Sequence, residues 1–63
     1  MDYRIDAMHC DGCARGVTAA IREADPEAQV TLDLANRRAR IESQRPEAVL
    51  AALDDAGFPA VPA

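Results

Sequence analysis

The chain has 63 residues and a net charge of −4, with eleven acidic side chains against seven arginines. This length predicts a single domain over residues 1–63 with a thin core, since small domains bury only about 60% of their unfolded surface. The acidic balance argues against nucleic acid and anionic membrane as partners, and no stretch approaches the roughly 18 apolar residues of a membrane span. Because no signal peptide is visible at the N-terminus, we expect a cytoplasmic protein whose two cysteines stay reduced.

The first half of the chain predicts a strand, a helix and a second strand. Apolar and polar positions alternate from Tyr3 to Met8, with Ile5 and Ala7 on the inner side, as in a half-buried strand. From Cys13 the period becomes helical, and residues 30–34 alternate again. The proline of the Asp25-Pro26 pair ends the helix, because the residue before a proline avoids the helical region. One helical face carries the predicted core residues Val17, Ala20, Ile21 and Ala24.

The second half predicts a strand, a helix and a short last strand. Residues 35–37 form a turn in which Asn36 tolerates a positive φ, and residues 38–42 alternate as the third strand. Ser43 or Gln44 is predicted to cap the second helix, with Pro46 in its first turn. Gly57 is placed to end this helix, and residues 58–61 add a last strand weakened by prolines. The predicted inner face of the helix consists of Val49, Ala52, Leu53 and Ala56.

The order of these elements predicts the fold class. Two split βαβ units, strand–helix–strand–strand–helix–strand, form one four-stranded antiparallel sheet with both helices on one face. The sequence therefore predicts an α+β, ferredoxin-like βαββαβ sandwich.

The chemistry of the chain is concentrated in two cysteines, Cys10 and Cys13, at the junction between the first strand and the first helix. A helix N-terminus favours anions and lowers the pKa of cysteine, so these thiols should ionise readily. Gly12 is expected to let the backbone turn between the two ligands. Thiolates select soft ions, and structural Zn²⁺ normally takes four ligands whereas Cu(I) is satisfied by two or three. Two cysteines alone therefore favour Cu(I).

Residues 8–13, Met-His-Cys-Asp-Gly-Cys, resemble the Met-x-Cys-x-x-Cys motif of the heavy-metal-associated domain. This is the domain of copper chaperones and of the N-terminal modules of copper-transporting P-type ATPases. The resemblance extends over essentially the whole chain, including the hairpin around Asn36 and the segment from Ala56 to Phe58.

The resemblance implies that Cys10 and Cys13 bind Cu(I) and pass it to a partner through shared sulfur ligands. That partner would be a copper-transporting P-type ATPase or another domain of the same fold, and the same chemistry would allow a metal-bridged homodimer. The resemblance also implies that Met8 packs inward beneath the loop without being a ligand. Phe58 is expected near the cysteines, either as part of the core or as an apolar lid over them.

Two neighbours of the cysteines carry other potential donor atoms. His9 is predicted to be exposed without a ligand role, since adjacent side chains diverge along an extended backbone. The alternative is a third donor for Zn²⁺ or for a second Cu(I). Asp11 is predicted to be solvated and to favour the helix start, with a carboxylate ligand for Zn²⁺ as the alternative.

Two other functions stay open at this point. One is a carrier of Zn²⁺ or Hg²⁺ assisted by His9 or Asp11. The other is a thiol–disulfide redox module, because Cys-x-x-Cys at a strand–helix junction is also typical of thioredoxin-like proteins. The sequence contains no set of residues that predicts catalysis, so we expect a binding protein and not an enzyme.

Overall fold

The computed structural model describes all 63 residues, which form four strands and two helices. The sheet has the strand order β2-β3-β1-β4, and every neighbouring pair is antiparallel. Both helices lie on one face of the sheet, which confirms the predicted ferredoxin-like architecture. Neither helix is long and apolar enough to cross a lipid bilayer. In chain order the elements are β1 (Asp2–Arg4), α1 (Asp11–Ala24), β2 (Gln29–Asp33), β3 (Arg38–Glu42), α2 (Pro46–Asp55) and β4 (Val61–Pro62).

The core lies between the sheet and the helices and consists of eleven buried apolar residues. The helix periodicity predicted five of them on the inner faces of α1 and α2: Val17, Ala20, Ile21, Val49 and Leu53. Of the other three predicted there, Ala24 and Ala52 are half-buried, and Ala56 is exposed because α2 ends at Asp55. The strands and loops supply the remaining members: Tyr3, Ile5, Met8, Ala28, Ala39 and Ile41.

The first strand is shorter than the alternation predicted. β1 ends at Arg4, and the chain turns at residues 6 and 7, where the backbone N–H of Met8 donates to the carbonyl of Ile5 at 3.0 Å. The turn breaks the alternation, so that Met8 instead of Ala7 enters the core after Ile5. The strand cannot continue because the chain must leave the sheet to begin α1.

The hairpin between β2 and β3 pairs in register from Gln29 opposite Glu42 to Asp33 opposite Arg38. Its positive φ of 56° falls on Arg37, one residue after the predicted Asn36. Asn36 is held by Asp33, whose carboxylate accepts from the Asn36 backbone N–H at 3.2 Å and from Nδ2 at 2.9 Å. The left-handed conformation is therefore taken by the next residue.

The second helix begins as its proline predicted, but with a different capping arrangement. Pro46 occupies the first turn, and the N-cap is Arg45, whose side chain makes no capping hydrogen bond. Ser43 acts from two residues upstream, where its Oγ accepts from the backbone N–H of Arg45 at 2.9 Å. Gly57 ends the helix with a φ of 88°, as predicted.

The last strand is confined to two residues. Val61 and Pro62 pair with Arg4 and Tyr3 of β1, so β4 begins three residues later than predicted. Proline is tolerated there because β4 is an edge strand and its outer side needs no donor.

Candidate metal centre

The site is built at the first turn of α1, where Cys10 is the N-cap residue. Its backbone is extended, with φ −151° and ψ 166°, and its sulfur accepts a hydrogen bond from the backbone N–H of Cys13 at 3.3 Å. Serine, threonine, aspartate and asparagine normally fill this position, because their oxygen satisfies one of the unpaired N–H groups of the first turn. Here a sulfur takes that role, and the helix begins at Asp11, two residues before the predicted start.

The two sulfurs lie 2.8 Å apart, and both cysteines are free thiols. Cys10 is exposed, whereas Cys13 is half-buried and packs against the edge of the core. The side chain of Cys13 and then its backbone N–H hydrogen-bond to the Cys10 sulfur, and both hold the pKa of Cys10 below its usual value. Desolvation of the sulfur and, to a smaller extent, the charge of Asp11 raise the pKa of Cys10 but do not outweigh these bonds. The site therefore favours a thiolate at Cys10 within reach of solvent.

Two apolar side chains, Met8 and Phe58, lie close in the fold to the residues that carry the thiols. The Met8 side chain is fully buried, so its thioether faces the core and has no exposure to solvent. Phe58 is half-buried in the loop after α2 and packs its ring edge against Gly16, one turn beyond Cys13. Phe58 thus packs against the second turn of α1, and Met8 belongs to the core against which Cys13 packs.

Gly16 is the residue that the sequence reasoning missed. A Cβ atom at this position would lie 3.0 Å from Cε2 and 3.3 Å from Cζ of Phe58, closer than ordinary contact. Gly12, by contrast, has no positive φ, and a Cβ atom there would meet the Cys10 sulfur at an ordinary 3.9 Å. The expected need for glycine between the ligands is therefore not observed, and the close approach occurs one helical turn later.

His9 lies nearer to the sulfurs than the divergence of neighbouring side chains suggested. One imidazole nitrogen and the sulfurs of Cys10 and Cys13 all lie within 4.8 Å of one another. The expected divergence applies to a regular strand, and β1 has ended at Arg4 before this loop. Asp11 is exposed in the first turn of α1 and is not part of this group.

The sequence matches the profile of the heavy-metal-associated domain over residues 2–59, which is most of its length. The match includes both cysteines and both helices. The chain belongs to the heavy-metal-associated domain family.

Solved structures with the same fold include several metal-binding proteins. A gold-binding protein is 41% identical to this heavy-metal-associated domain, with a TM-score of 0.88 over 95% of this chain and 94% of that chain. The copper chaperone Atx1 from Synechocystis PCC6803, in a trimeric form, is 27% identical with a TM-score of 0.88, covering 97% of this chain and 98% of that one.

A third structure comes from work on crosstalk between Cu(I) and Zn(II) homeostasis. It is 29% identical to this chain, with a TM-score of 0.86 over 97% of this chain and 98% of that chain. A search of curated proteins found no significant match. Family and neighbours together support a metal-binding, chaperone-like domain.

The donor set of this heavy-metal-associated domain fits a soft metal ion. Thiolate sulfurs lie about 2.3 Å from a bound metal, so one ion separates two of them by about 4 Å in a trigonal site and about 4.6 Å in a linear one. The sulfurs of Cys10 and Cys13, now 2.8 Å apart, must therefore open by one to two ångströms. The exposed position of Cys10 leaves room for that movement.

Proposed function

We propose that this heavy-metal-associated domain carries Cu(I) between Cys10 and Cys13 and delivers it to a partner protein. The observation that supports this most directly is the pair of free thiols 2.8 Å apart at the open start of α1. Soft thiolates favour Cu(I), and two protein donors suffice for Cu(I) but not for structural Zn²⁺. The copper chaperone among the structural neighbours adds support.

Transfer by ligand exchange follows from the exposure of the site. An incoming thiol of the partner loses its proton and adds its sulfur to Cu(I), which gives a three-coordinate ion shared by both proteins. One of the original sulfurs then leaves and takes up a proton, and the second exchange follows in the same way. Cu(I) keeps its oxidation state throughout. Cys10, the exposed N-cap, is the first ligand to be replaced, whereas half-buried Cys13 leaves last.

The partner in this proposal is a copper-transporting P-type ATPase or another domain of the same fold, in the cytoplasm. Such a partner presents a similar pair of cysteines, so that the shared ion is held by sulfurs from both sides. A second copy of this chain offers the same ligands, and a metal-bridged homodimer is expected at high protein concentration. Residues 1–63 act as one carrier unit with no catalytic step.

A second cargo is favoured by the gold-binding protein that is 41% identical to this chain. Au(I) is, like Cu(I), a soft ion that two thiolates can hold, so the same sulfur pair would accept it. The family match favours metal carriage over the thiol–disulfide alternative. Hg²⁺ fits the same soft donor set.

The proposal is tested by an anaerobic titration of the reduced protein with Cu(I) against a competing chelator of known affinity. We expect one Cu(I) per chain and loss of nearly all affinity in Cys13→Ser, because a serine hydroxyl is a hard and poorly ionised donor. Parallel titrations with Au(I) and Hg²⁺ give the order of affinity of the site for the three soft ions. Retention of tight Cu(I) binding by Cys13→Ser, or failure of the wild type to compete, would contradict the proposal.

A further inference from the structure

The third donor atom near the cysteines belongs to His9. Its imidazole nitrogen and both sulfurs lie within 4.8 Å of one another, and no other cysteine, histidine or carboxylate joins the group. His9 is exposed, and its ring makes no hydrogen bond within the protein. Nothing in the fold therefore fixes the ring in its present position, and it is available to a ligand.

The separation between the His9 nitrogen and each sulfur, at most 4.8 Å, is near that which one metal ion imposes. With metal–sulfur bonds of about 2.3 Å and metal–nitrogen bonds of about 2.0 Å, a tetrahedral ion places sulfur and nitrogen about 3.5 Å apart. His9 must therefore approach the sulfurs by at most about 1.3 Å from a separation of up to 4.8 Å. Rotation about the side-chain bonds of an exposed histidine supplies such a shift.

We propose that His9 is a third metal ligand that makes this site bind Zn²⁺ as well as Cu(I). Imidazole is a borderline donor suited to Zn²⁺, whereas Cu(I) is already satisfied by two thiolates. Two sulfurs and one nitrogen leave the fourth tetrahedral position open, as in zinc sites that exchange a ligand. His9 thus determines metal selectivity, and this role rests on the proposed cysteine pair.

The position of His9 in the chain supports this assignment over Asp11. Asp11 stands in the first turn of α1, outside the three-donor group. His9 precedes the N-cap, so its side chain belongs to the loop and moves without disturbing the helix. The two residues flank Cys10 and therefore provide a matched pair of substitutions.

The experiment measures Zn²⁺ and Cu(I) affinities of the wild type, His9→Gln and Asp11→Asn, using the metals alone with competing chelators and no oxygen. We expect His9→Gln to weaken Zn²⁺ binding by at least about tenfold, as loss of a ligand or its support does in metal sites. Cu(I) affinity should change by less than about threefold, because both thiolates remain. Asp11→Asn should leave Zn²⁺ affinity within the same narrow range.

A direct readout accompanies the affinities. Long-range ¹H–¹⁵N spectra of the imidazole should show one ring nitrogen shifting on Zn²⁺ addition and little change with Cu(I). Zn²⁺ affinity that is independent of protein concentration supports a ligand from the same chain, and affinity that rises with concentration contradicts it. Equal Zn²⁺ affinity in the wild type and His9→Gln, or an unshifted ring, overturns the inference. Failure to bind Cu(I) in the wild type would instead contradict the proposed function alone.

Discussion

The two helices of this protein begin in opposite ways. At α1 the capping atom is the sulfur of exposed Cys10, which accepts from the Cys13 N–H at 3.3 Å. At α2 no side chain caps the helix. Ser43, two residues before the N-cap, accepts from the Arg45 backbone N–H at 2.9 Å and donates to the buried carboxylate of Asp25 at 2.6 Å. The first turn of α1 therefore exposes a free thiol, whereas the residues before α2 are held by the hydrogen bonds of the Ser43 hydroxyl.

The two ends of α1 differ in the same way. Its C-terminal end is followed by Asp25, which accepts from Ser43 and from the backbone N–H of Glu27 at 3.1 Å and so ties the helix to the entry of α2. At its N-terminal end the side-chain cap is the sulfur of Cys10, and both thiols are free. The C-terminal end of α1 is thus fixed by hydrogen bonds to a carboxylate, whereas its N-terminal end presents the exposed thiol of Cys10.

The largest expected effect is the loss of Cu(I) affinity in Cys10→Ser, a substitution that removes the proposed ligand but keeps a capping side chain. Cys10→Ser should lower Cu(I) affinity by about 1000-fold or more, equivalent to about 4 kcal/mol, because one of two thiolates is lost. The free energy of unfolding of the metal-free protein should stay the same or rise by up to about 1 kcal/mol, since serine is among the preferred N-caps. Chelator competition and denaturant unfolding measure the two quantities.

Cys10→Ala is the matched control for that substitution. It removes both the ligand and the cap, so it should lose Cu(I) binding and also unfold more easily than Cys10→Ser. Equal stability of the two variants would show that the N-cap position has no role in holding the start of α1.

A smaller effect, on the free energy of unfolding, is expected at Ser43 before α2. Ser43→Ala removes the acceptor of the Arg45 N–H just before the helix and should destabilise the protein by about 1 kcal/mol, as loss of an intramolecular hydrogen bond does. Cu(I) affinity should not change, because the substitution lies at the other end of α1. Denaturant unfolding with and without metal measures both, and a changed Cu(I) affinity would disprove the separation of the two ends.

The same substitution should alter the pH dependence of stability. The Ser43 hydroxyl, together with the Glu27 N–H, holds the pKa of Asp25 below its ordinary value of 3.8. A lowered carboxyl pKa means that the unfolded chain binds more protons, so this contribution is complete above about pH 5 and is lost as the pH falls through the folded-state pKa. The difference in stability between the wild type and Ser43→Ala should therefore be largest near neutral pH and become smaller as the pH falls below 3.8, where only the loss of the bond to the Arg45 N–H remains.

The smallest effects concern the two glycines near the ligands. Gly12→Ala should stabilise the protein by about 0.5 kcal/mol, because alanine favours the helix and its Cβ atom meets no obstacle. Gly16→Ala should gain less or lose stability, since its Cβ atom would press on Phe58 at 3.0 Å. Thermal unfolding of both variants compares them. In a protein that also carries Phe58→Ala, Gly16→Ala should change the stability by nearly as much as Gly12→Ala does. If Gly16→Ala alone stabilised the protein as much as Gly12→Ala, the close contact with Phe58 would be contradicted.

Much of the fold could be predicted from local patterns. The apolar faces of both helices, the Asp25-Pro26 stop and the left-handed Gly57 each depend on spacing or on the conformational limits of one residue type. The prediction was wrong where long-range geometry intervened. The alternation placed Ala7 inside, but Ala7 is only half-buried, because the exit from β1 toward α1 shifts the alternation by one residue. Met8 fills the core there instead, as the family resemblance implied.

The sequence by itself determined the element order, the family and the identity of the two cysteines, because these follow from periodicity and from a local motif. Only the tertiary structure decided that Cys10 caps α1, that Gly16 accommodates Phe58 and that His9 stands beside both sulfurs. These relations depend on how the loop after β1 turns and on how the segment after α2 returns to α1. Periodicity describes the faces of single elements, whereas such distances are set by the packing of all of them around one core.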